Sequence, residues 1–440
     1  MVVATTYLLL SLYKHWHFGS SFDLAIFDQA IWHLSRFEAP ASSIRGFGNL
    51  FGDHFHPIIC LLAPLYWIAP APETLIVAQA ILLSVSMIPV FAFARSRLPS
   101  GAALALTGAY GLFWGMQRTA ISDFHEVAFA PLLIASAILA IDRRQWGWLW
   151  IVCIGLAAVK EDLIPLVAGI GGYLWLIGER RRGIVLLAGG LGVFVLVMKV
   201  VIPSFNAGTG SAYAAAFDEV WRKPWMAPVL LVTPLEKLRT VANWLLPFLL
   251  LPLMSPLGLL LAPLAAERLL SSASSHWMAM GHYSAPLAPI LAMSAADGLG
   301  RFAGLFHDAA IRRRIIVWSV SACALVSAFL PGHQPHWRAF SLRHYRDHPT
   351  QQTGNHALAL IPRDASVLAQ AALAPHLSQR QTLYILEPGA PDADYVIASG
   401  SLAPWPMTSR EEVASLLAAR AQQGYSVIFD RDDWVVLRRP

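Results

Sequence analysis

Charged side chains are scarce in this chain. They make up 13% of its 440 residues, whereas 56% of the residues are hydrophobic. About a quarter of the residues are charged in a typical soluble protein. Long apolar runs recur from the start of the chain to about residue 330, and runs of this kind cross bilayers as helices. We therefore predict a polytopic membrane protein.

Cysteine is also scarce, and its three copies do not support a disulfide framework or a metal site. Cys60, Cys153 and Cys323 all lie in apolar runs, where we expect buried, unreactive thiols. No soluble segment carries a basic and aromatic patch, so nucleic acid is not expected as a partner. The first apolar run has neither a basic start nor a small-residue cleavage site, which argues against a removable signal peptide.

Basic loops alternate with acidic loops along the apolar part of the chain. The positive-inside rule places the arginine clusters at 95–97, 143–144, 180–182 and 312–314 in the cytoplasm. The loops between them carry acids and histidines and are placed outside. The chain then makes about eleven crossings, with its N-terminus inside. After the first span, the predicted spans are 73–94, 100–116, 127–142, 146–159, 163–178, 184–202, a helical hairpin at 241–268, 283–300 and 313–331.

The apolar run at 57–70 does not fit this series. Both of its ends must lie outside if the next span runs inward to Arg95. It is only fourteen residues long and contains three prolines. We predict a re-entrant segment or one that lies on the membrane surface.

The composition changes after Pro331, where charged and polar residues become frequent. The pattern predicts a mostly α-helical membrane domain at 1–331, with a first external loop at 18–72. A soluble extracytoplasmic α/β domain is predicted at 332–440, packed over the external mouth of the membrane domain. Its predicted strands are 366–370, 382–386, 395–398, 425–429 and 434–437, and its predicted helix is 410–422.

The segment SSFDLAIFDQ at 20–29 places two acids directly after the first span. Ionisable residues against apolar surface at a membrane boundary are candidates for a functional site. The alternative is a short amphipathic connector whose acids cap a helix. The apolar residues Leu24, Phe27, Ile31 and Leu34 do predict an amphipathic helix on the membrane, with Asp28 on its polar side. Asp23 stands at the start of this helix, where it could cap it.

More ionisable residues collect on the predicted outer side and indicate a polar cavity. The alternatives are a solvated loop for 53–56 and local ion pairs for 160–162. Asp53, His54 and His56 also match, weakly, a site for a divalent metal. The candidate residues in these loops are Asp53, His54, His56, Arg118, Asp123, His125, Glu126, Lys160, Glu161 and His282.

The motifs FDLAIFDQAIW, GDHFHP, DFHE and VKED resemble a bacterial family of multi-spanning membrane proteins. The arrangement also resembles the GT-C superfamily of membrane glycosyltransferases, which use polyprenyl-phosphate-linked sugars. In those enzymes an acidic motif opens the first external loop. Asp23 matches that position, and Asp123 resembles a second acidic position found in many members. Leu24 departs from the pattern, because many members carry adjacent acids.

The resemblance implies a glycosyltransferase of the bacterial inner membrane, with a polyprenyl-phosphate sugar as donor and a glycan, lipid or protein as acceptor. It implies that Asp23 is the general base and that Asp123 orients the acceptor or a metal. The implied substrate-binding residues are Asp28, His54, His56, Arg118, His125, Glu126, Lys160, Glu161 and His282.

A transporter or flippase is the main alternative, and a non-catalytic scaffold of the same fold is another. Transporters tend to show internal repeats and ionisable residues near the bilayer midplane. Here no clear repeat is visible, and the acids cluster at the outer boundary, which favours the transferase.

Overall fold

Helices make up most of the fold in a computed structural model, which describes residues 1–332, 334–345 and 349–440. The α-helices are α1 (Val2–Trp16), α2 (Phe22–Ser35), α3 (Pro72–Val85), α4 (Met87–Arg95), α5 (Ser100–Leu112), α6 (Trp114–Ile121), α7 (Ala130–Asp142), α8 (Trp146–Ala157), α9 (Ile164–Leu176), α10 (Arg180–Leu196), α11 (Ile202–Phe205), α12 (Asp218–Arg222), α13 (Ala227–Leu230), α14 (Glu236–Leu245), α15 (Leu261–Leu270), α16 (Ser274–Trp277), α17 (Leu287–Gly304), α18 (Ala309–Phe329), α19 (Pro349–Ala359) and α20 (Arg410–Gln422).

Each predicted span coincides with helical structure, but many of these helices are short or interrupted. For example, α5 and α6 are separated by Phe113, whose backbone is extended. Within the described residues, two helical segments are long and apolar enough to cross a membrane, at 72–95 and 180–205. The number of crossings therefore stays a prediction.

The apolar run at 57–70 forms a 3-10 helix over Pro57–Trp67. One side of this helix packs against α2, whereas Leu61 on the other side is 68% exposed. Cys60 shares the exposed side, so the expectation of a buried thiol is wrong there. Cys153 and Cys323 are buried, as predicted.

The two ends of the helix bundle differ in chemistry. At one end, Arg97 on the loop after α4 pairs with Asp142 at 2.6 Å and with Asp297 at 3.1 Å. The arginine-rich start of α10 reaches the same end, where Arg182 lies over the ring of Trp146. Because α7 ends at Asp142 and begins near the acidic 123–126 segment, the acidic loops lie at the opposite end. The sequence pattern of alternating loops thus corresponds to two separate ends of the bundle.

A five-stranded sheet follows the helices, in the order β2-β1-β3-β5-β4. Strand β1 is parallel to β2 and β3, whereas β5 is antiparallel to β3 and β4. All five predicted strands and the predicted helix at 410–422 are present, with ends shifted by no more than about two residues. The strands are β1 (Val367–Ala369), β2 (Leu383–Ile385), β3 (Tyr395–Ser399), β4 (Ser426–Arg431) and β5 (Trp434–Arg438).

Helix α2 is present, but its polar side does not face water. Asp28 and Gln29 are fully buried, because the tail that carries the sheet covers them. The Asp28 carboxylate accepts hydrogen bonds from Ser378 Oγ at 2.6 Å and Gln379 Nε2 at 3.3 Å, and from the hydroxyl of Tyr66 at 2.5 Å. Gln29 Nε2 donates to a tail carbonyl at 2.9 Å. The tail and the helix bundle therefore enclose α2 between them.

The expectation that Asp23 caps α2 is wrong. The N-cap is Ser21 and no side chain caps the helix, so Asp23 lies inside the first turn and does not cap it. A carboxylate in that turn is still favoured by the helix dipole. Burial raises the pKa of Asp28 to about 6, although its hydrogen bonds to Ser378, Tyr66 and Gln379 oppose the shift.

Replacing Asp28 with alanine should loosen the contact between the tail and α2. Each buried donor that loses its acceptor costs about 1–3 kcal/mol, and Tyr66 and Gln379 would both lose theirs. Asp28→Asn should preserve the contact, because Ser378 also donates to the Pro375 carbonyl and can accept from the new amide. Hydrogen–deuterium exchange across the tail of the detergent-solubilised protein measures the difference.

The same contact should weaken as pH rises from about 4 to about 6. An exposed Asp28 releases its proton near pH 3.9, whereas the buried one holds it until about pH 6. The state in which the tail is separated from α2 therefore gains stability relative to the docked state as the pH rises through this window. Above the window, the free-energy difference between the two states no longer changes with the protonation of Asp28. Asp433→Asn, at an exposed turn, is the matched control. Identical exchange in wild type and Asp28→Ala would contradict the assigned role.

Candidate active site

A cavity of about 590 Å³ lies where the acidic and histidine-rich loops meet. Its polar wall comes from the start of α2, the loops at 45–56, 125–126 and 160–162, and the connection between α15 and α17. Its apolar wall comes from the end of α10 and from 217–221. The ionisable and histidine side chains on its wall are Asp23, Arg45, Asp53, His54, His56, His125, Glu126, Lys160, Glu161, Asp162, Tyr213, Glu267, His276, His282 and Tyr283.

A buried ion pair joins two of these loops. Lys160, between α8 and α9, lies 3.2 Å from Glu126, which precedes α7. Burial alone would raise the pKa of Glu126, but Lys160 and the nearby histidines together outweigh it and lower that pKa to about 2. Burial likewise lowers the pKa of Lys160, yet Glu126 and the neighbouring acids keep it well above its ordinary value. Both partners are therefore charged at neutral pH.

Three further residues, Glu161, Arg45 and Tyr213, hold the turn at 53–56. The Glu161 carboxylate lies 2.5 Å from His54 Nδ1 and accepts the backbone N–H of Phe55 at 2.8 Å. Arg45 donates to both carboxylate oxygens of Asp53, at 2.9 and 2.8 Å. The ring of Tyr213 stacks on His54 with centroids 4.2 Å apart.

These contacts bear on the predicted metal ligands Asp53, His54 and His56. Asp53 is occupied by Arg45, and His54 Nδ1 is occupied by Glu161. In the part of the chain that the structure describes, no group of three or more histidine, cysteine or acidic side chains is placed to hold a metal ion. The turn is therefore built by ion pairs, and a preformed metal site is not among its features.

His56 is buried beside the cavity without a partner. Its side chain is 1% exposed, and neither ring nitrogen has a hydrogen-bond partner among the described residues. Burial lowers its pKa to about 4, so the ring is neutral at pH 7. A buried polar group without a partner costs free energy, and a ligand oxygen in the cavity would remove that cost.

Asp23 presents the most open carboxylate of the ion-paired acids on the cavity wall. Its side chain is 42% exposed, and the ring nitrogen Nε2 of His125 lies 3.7 Å away. Burial by the cavity walls raises the pKa of Asp23, which His125 opposes and the nearby Asp123 reinforces. A carboxylate with a raised pKa that faces a cavity is a candidate base. His125 in turn stacks on His282, with ring centroids 3.6 Å apart.

Three predicted site residues lie outside the cavity wall. Asp123 pairs with Lys14 at 2.8 Å and accepts the backbone N–H of Ser21 at 2.7 Å, so it anchors the start of α2. Arg118 lies on α6, outside the lining, and Asp28 faces the tail. The structure brings together Asp23, Asp53, His54, His56, His125, Glu126, Lys160, Glu161 and His282.

Six ionisable lining residues were not among the candidates from the sequence, namely Arg45, Asp162, Tyr213, Glu267, His276 and Tyr283. Glu267 carried a signal, since an acid beside Arg268 interrupts the apolar run of α15, and such acids are functional candidates. Asp162 belonged to a recognised charged loop, and burial raises its pKa to about 7. Arg45 and Tyr213 lie in loops of ordinary composition, which offer no comparable signal.

A family model described as Predicted membrane protein (DUF2079) matches residues 14–436. The chain belongs to the DUF2079 family. The matched range contains α2, every loop of the cavity, strands β1 to β4 and the first part of β5. A comparison of this DUF2079 protein with curated proteins gives no match.

Two crystal structures of ArnT from Cupriavidus metallidurans share the fold of this DUF2079 protein. The first, bound to undecaprenyl phosphate, has a TM-score of 0.56 at 12% identity and covers 99% of this chain and 97% of that chain. The apo structure has a TM-score of 0.53 at 10% identity, with the same coverage. The predicted resemblance to GT-C transferases is thereby confirmed at the level of the fold.

Replacing Glu126 with glutamine should destabilise the protein. The change leaves the buried Lys160 without its ion-pair partner, and breaking a buried pair in this way costs about 3–5 kcal/mol. Adding Lys160→Met to the same protein should restore much of the loss, because the unpaired charge is then gone. Thermal unfolding of the detergent-solubilised protein measures both effects.

Asp218→Asn is the control for this pair, because it breaks an exposed ion pair with Arg222. Exposed pairs contribute at most about 1 kcal/mol, so the control should unfold close to wild type. An unchanged unfolding temperature for Glu126→Gln would show that the buried pair does not stabilise the fold.

Proposed function

We propose that this DUF2079 protein is a membrane glycosyltransferase that uses a polyprenyl-phosphate sugar as donor. The cavity carries the proposal, because it places an open carboxylate and a partnerless buried imidazole beside an apolar wall. The GT-C-like fold supports it, since one ArnT structure of that fold holds undecaprenyl phosphate. In this proposal the enzyme lies in the bacterial inner membrane, with the cavity and the tail outside the cytoplasm.

The apolar wall suits the polyprenyl chain of the donor. Phe194 and Met198 line the cavity from the end of α10 and from the π-helical turn that follows it. On the same helix α10, Leu191 and Val195 are 52% and 57% exposed, as expected of a helix that faces lipid. A chain lying along α10 would deliver its phosphate to the polar wall.

The cations of the polar wall suit the donor phosphate. Lys160 and Arg45 carry fixed positive charge and line the cavity. His56 offers a ring N–H that has no acceptor among the described residues. Charge-assisted hydrogen bonds of this kind become stronger as negative charge develops on a leaving phosphate.

Asp23 is the general base of the proposed reaction. A hydroxyl oxygen of the acceptor forms a bond to the anomeric carbon, while the bond from that carbon to the phosphate oxygen breaks. The electron pair of the broken bond leaves with the phosphate, and Asp23 takes the hydroxyl proton. Asp123 acts indirectly, by holding the start of α2 through Ser21.

Replacing Asp23 with asparagine should lower kcat/KM for sugar transfer by about 10²–10⁴-fold. Binding of the donor should change little, because the isosteric amide preserves the cavity shape. The measurement is transfer from radiolabelled polyprenyl-phosphate sugars by purified protein in nanodiscs. Asp308→Asn is the control, since asparagine retains the helix cap that Asp308 provides to α18.

The same purified protein, reconstituted in liposomes, separates the transferase from a transporter. If the labelled lipid crosses a liposome membrane with no turnover in either wild type or Asp23→Asn, the protein is a transporter or flippase. If transfer proceeds equally in wild type and Asp23→Asn, the protein is a transferase with a different base.

A further inference from the structure

The backbone holds His125 in one tautomer. Its Nδ1 lies 2.8 Å from the carbonyl oxygen of Asp123. A carbonyl oxygen only accepts hydrogen bonds, so Nδ1 carries the hydrogen of the neutral ring. Nε2 therefore presents a lone pair, and it lies 3.7 Å from Oδ2 of Asp23.

The position of this ring is fixed on several sides. The backbone N–H of His125 donates to Gln79 Oε1 at 3.1 Å, and the ring of Phe27 meets it edge-on. The His282 ring stacks on its face at 28°. Burial lowers the pKa of His282 well below its ordinary value, so that neighbour is neutral.

The charged groups around the pair come from four segments, one of which is the loop after α2 that carries Arg45. Asp23 belongs to α2, Asp123 and Glu126 belong to the segment that carries His125, and Lys160 follows α8. Asp123 and Glu126 each have a lysine partner, at 2.8 and 3.2 Å. Asp23 has the imidazole of His125 in the place of a lysine.

We propose that Asp23 and His125 form a proton-accepting dyad, in which Asp23 takes the acceptor's hydroxyl proton and His125 Nε2 then receives it. The proposal rests on the proposed transferase function and adds a second proton-holding group to it. After the transfer, Asp23 is again a carboxylate and His125 is an imidazolium that donates from both ring nitrogens. The imidazolium later releases its proton to water in the cavity.

This arrangement solves a problem created by the surroundings of Asp23. A base whose pKa is raised by burial accepts a proton readily and releases it slowly, which delays the next cycle. A histidine that is already oriented by a backbone carbonyl can take that proton with only a small movement across the 3.7 Å gap. His125 is therefore a relay and positioning residue, because the group that touches the acceptor is Asp23.

The tautomer can be measured without any substrate. Nitrogen-15 solid-state NMR of histidine-labelled protein in bilayers at pH 8 distinguishes the two neutral forms, and His125→Gln assigns the signal. We expect hydrogen on Nδ1 and none on Nε2. Hydrogen on Nε2 would overturn the dyad, whatever the activity of the protein.

Kinetics test the relay itself. His125→Gln should lower kcat by about 10²-fold and move the acid limb of the pH profile to higher pH, because Asp23 loses the group that opposes its raised pKa. The KM for the donor should stay near wild type. Added imidazole should restore part of the rate of His125→Ala, which a purely structural role would not allow.

His336→Gln is the matched control, since His336 contacts Gln117 and is not part of the cavity wall. A wild-type rate and pH profile in His125→Gln would overturn the relay. Wild-type protein without turnover would instead refute the proposed function. The tautomer measurement would still be informative in that case, because hydrogen on Nε2 of His125 overturns the dyad independently of activity.

Discussion

An ionised side chain that leaves water must meet an opposite charge or a hydrogen-bond donor, and this requirement organises the cavity end of the molecule. Glu126 meets Lys160, Asp123 meets Lys14, and Asp53 meets Arg45. The first two pairs connect segments that lie apart in the chain, and the third lies within the loop at 45–56, so the pairs also hold the loops in place. Without a partner, each of these charges would cost several kcal/mol, because it sits against apolar helices.

Asp23 owes its chemical character to the same requirement. The lysines nearby are already used by other acids, and Asp23 is left with a histidine at 3.7 Å and an open side facing the cavity. Structural ion pairs and a reactive carboxylate thus arise from one set of charges. The pairs provide rigidity, and the incomplete pairing of Asp23 provides reactivity.

Helix α2 connects this chemistry to the tail. One side of its N-terminal turns presents Asp23 to the cavity, while Asp28 and Gln29 bind Ser378 and its neighbours in the tail. The Asp28–Gln29 pair of the sequence motif therefore serves docking, whereas Asp23 serves the cavity. Because α2 is packed between the tail and the helix bundle, it keeps the Asp23 carboxylate in one position, which proton transfer requires.

The sequence by itself determined the class of the protein, the helical runs, the strands and the side on which the acids gather. These features depend on local composition and periodicity, which the chain carries in every short window. It could also single out Asp23 and His125, because an acid or a histidine next to an apolar span is unusual. Which acids are paired and which stay open was decided only by the tertiary structure. Asp28 illustrates this best, since its polar side was expected to face water, yet Ser378 covers it from 350 positions away in the chain. Contacts of that separation depend on how helices and sheet pack together, and no local pattern encodes the distance between two side chains.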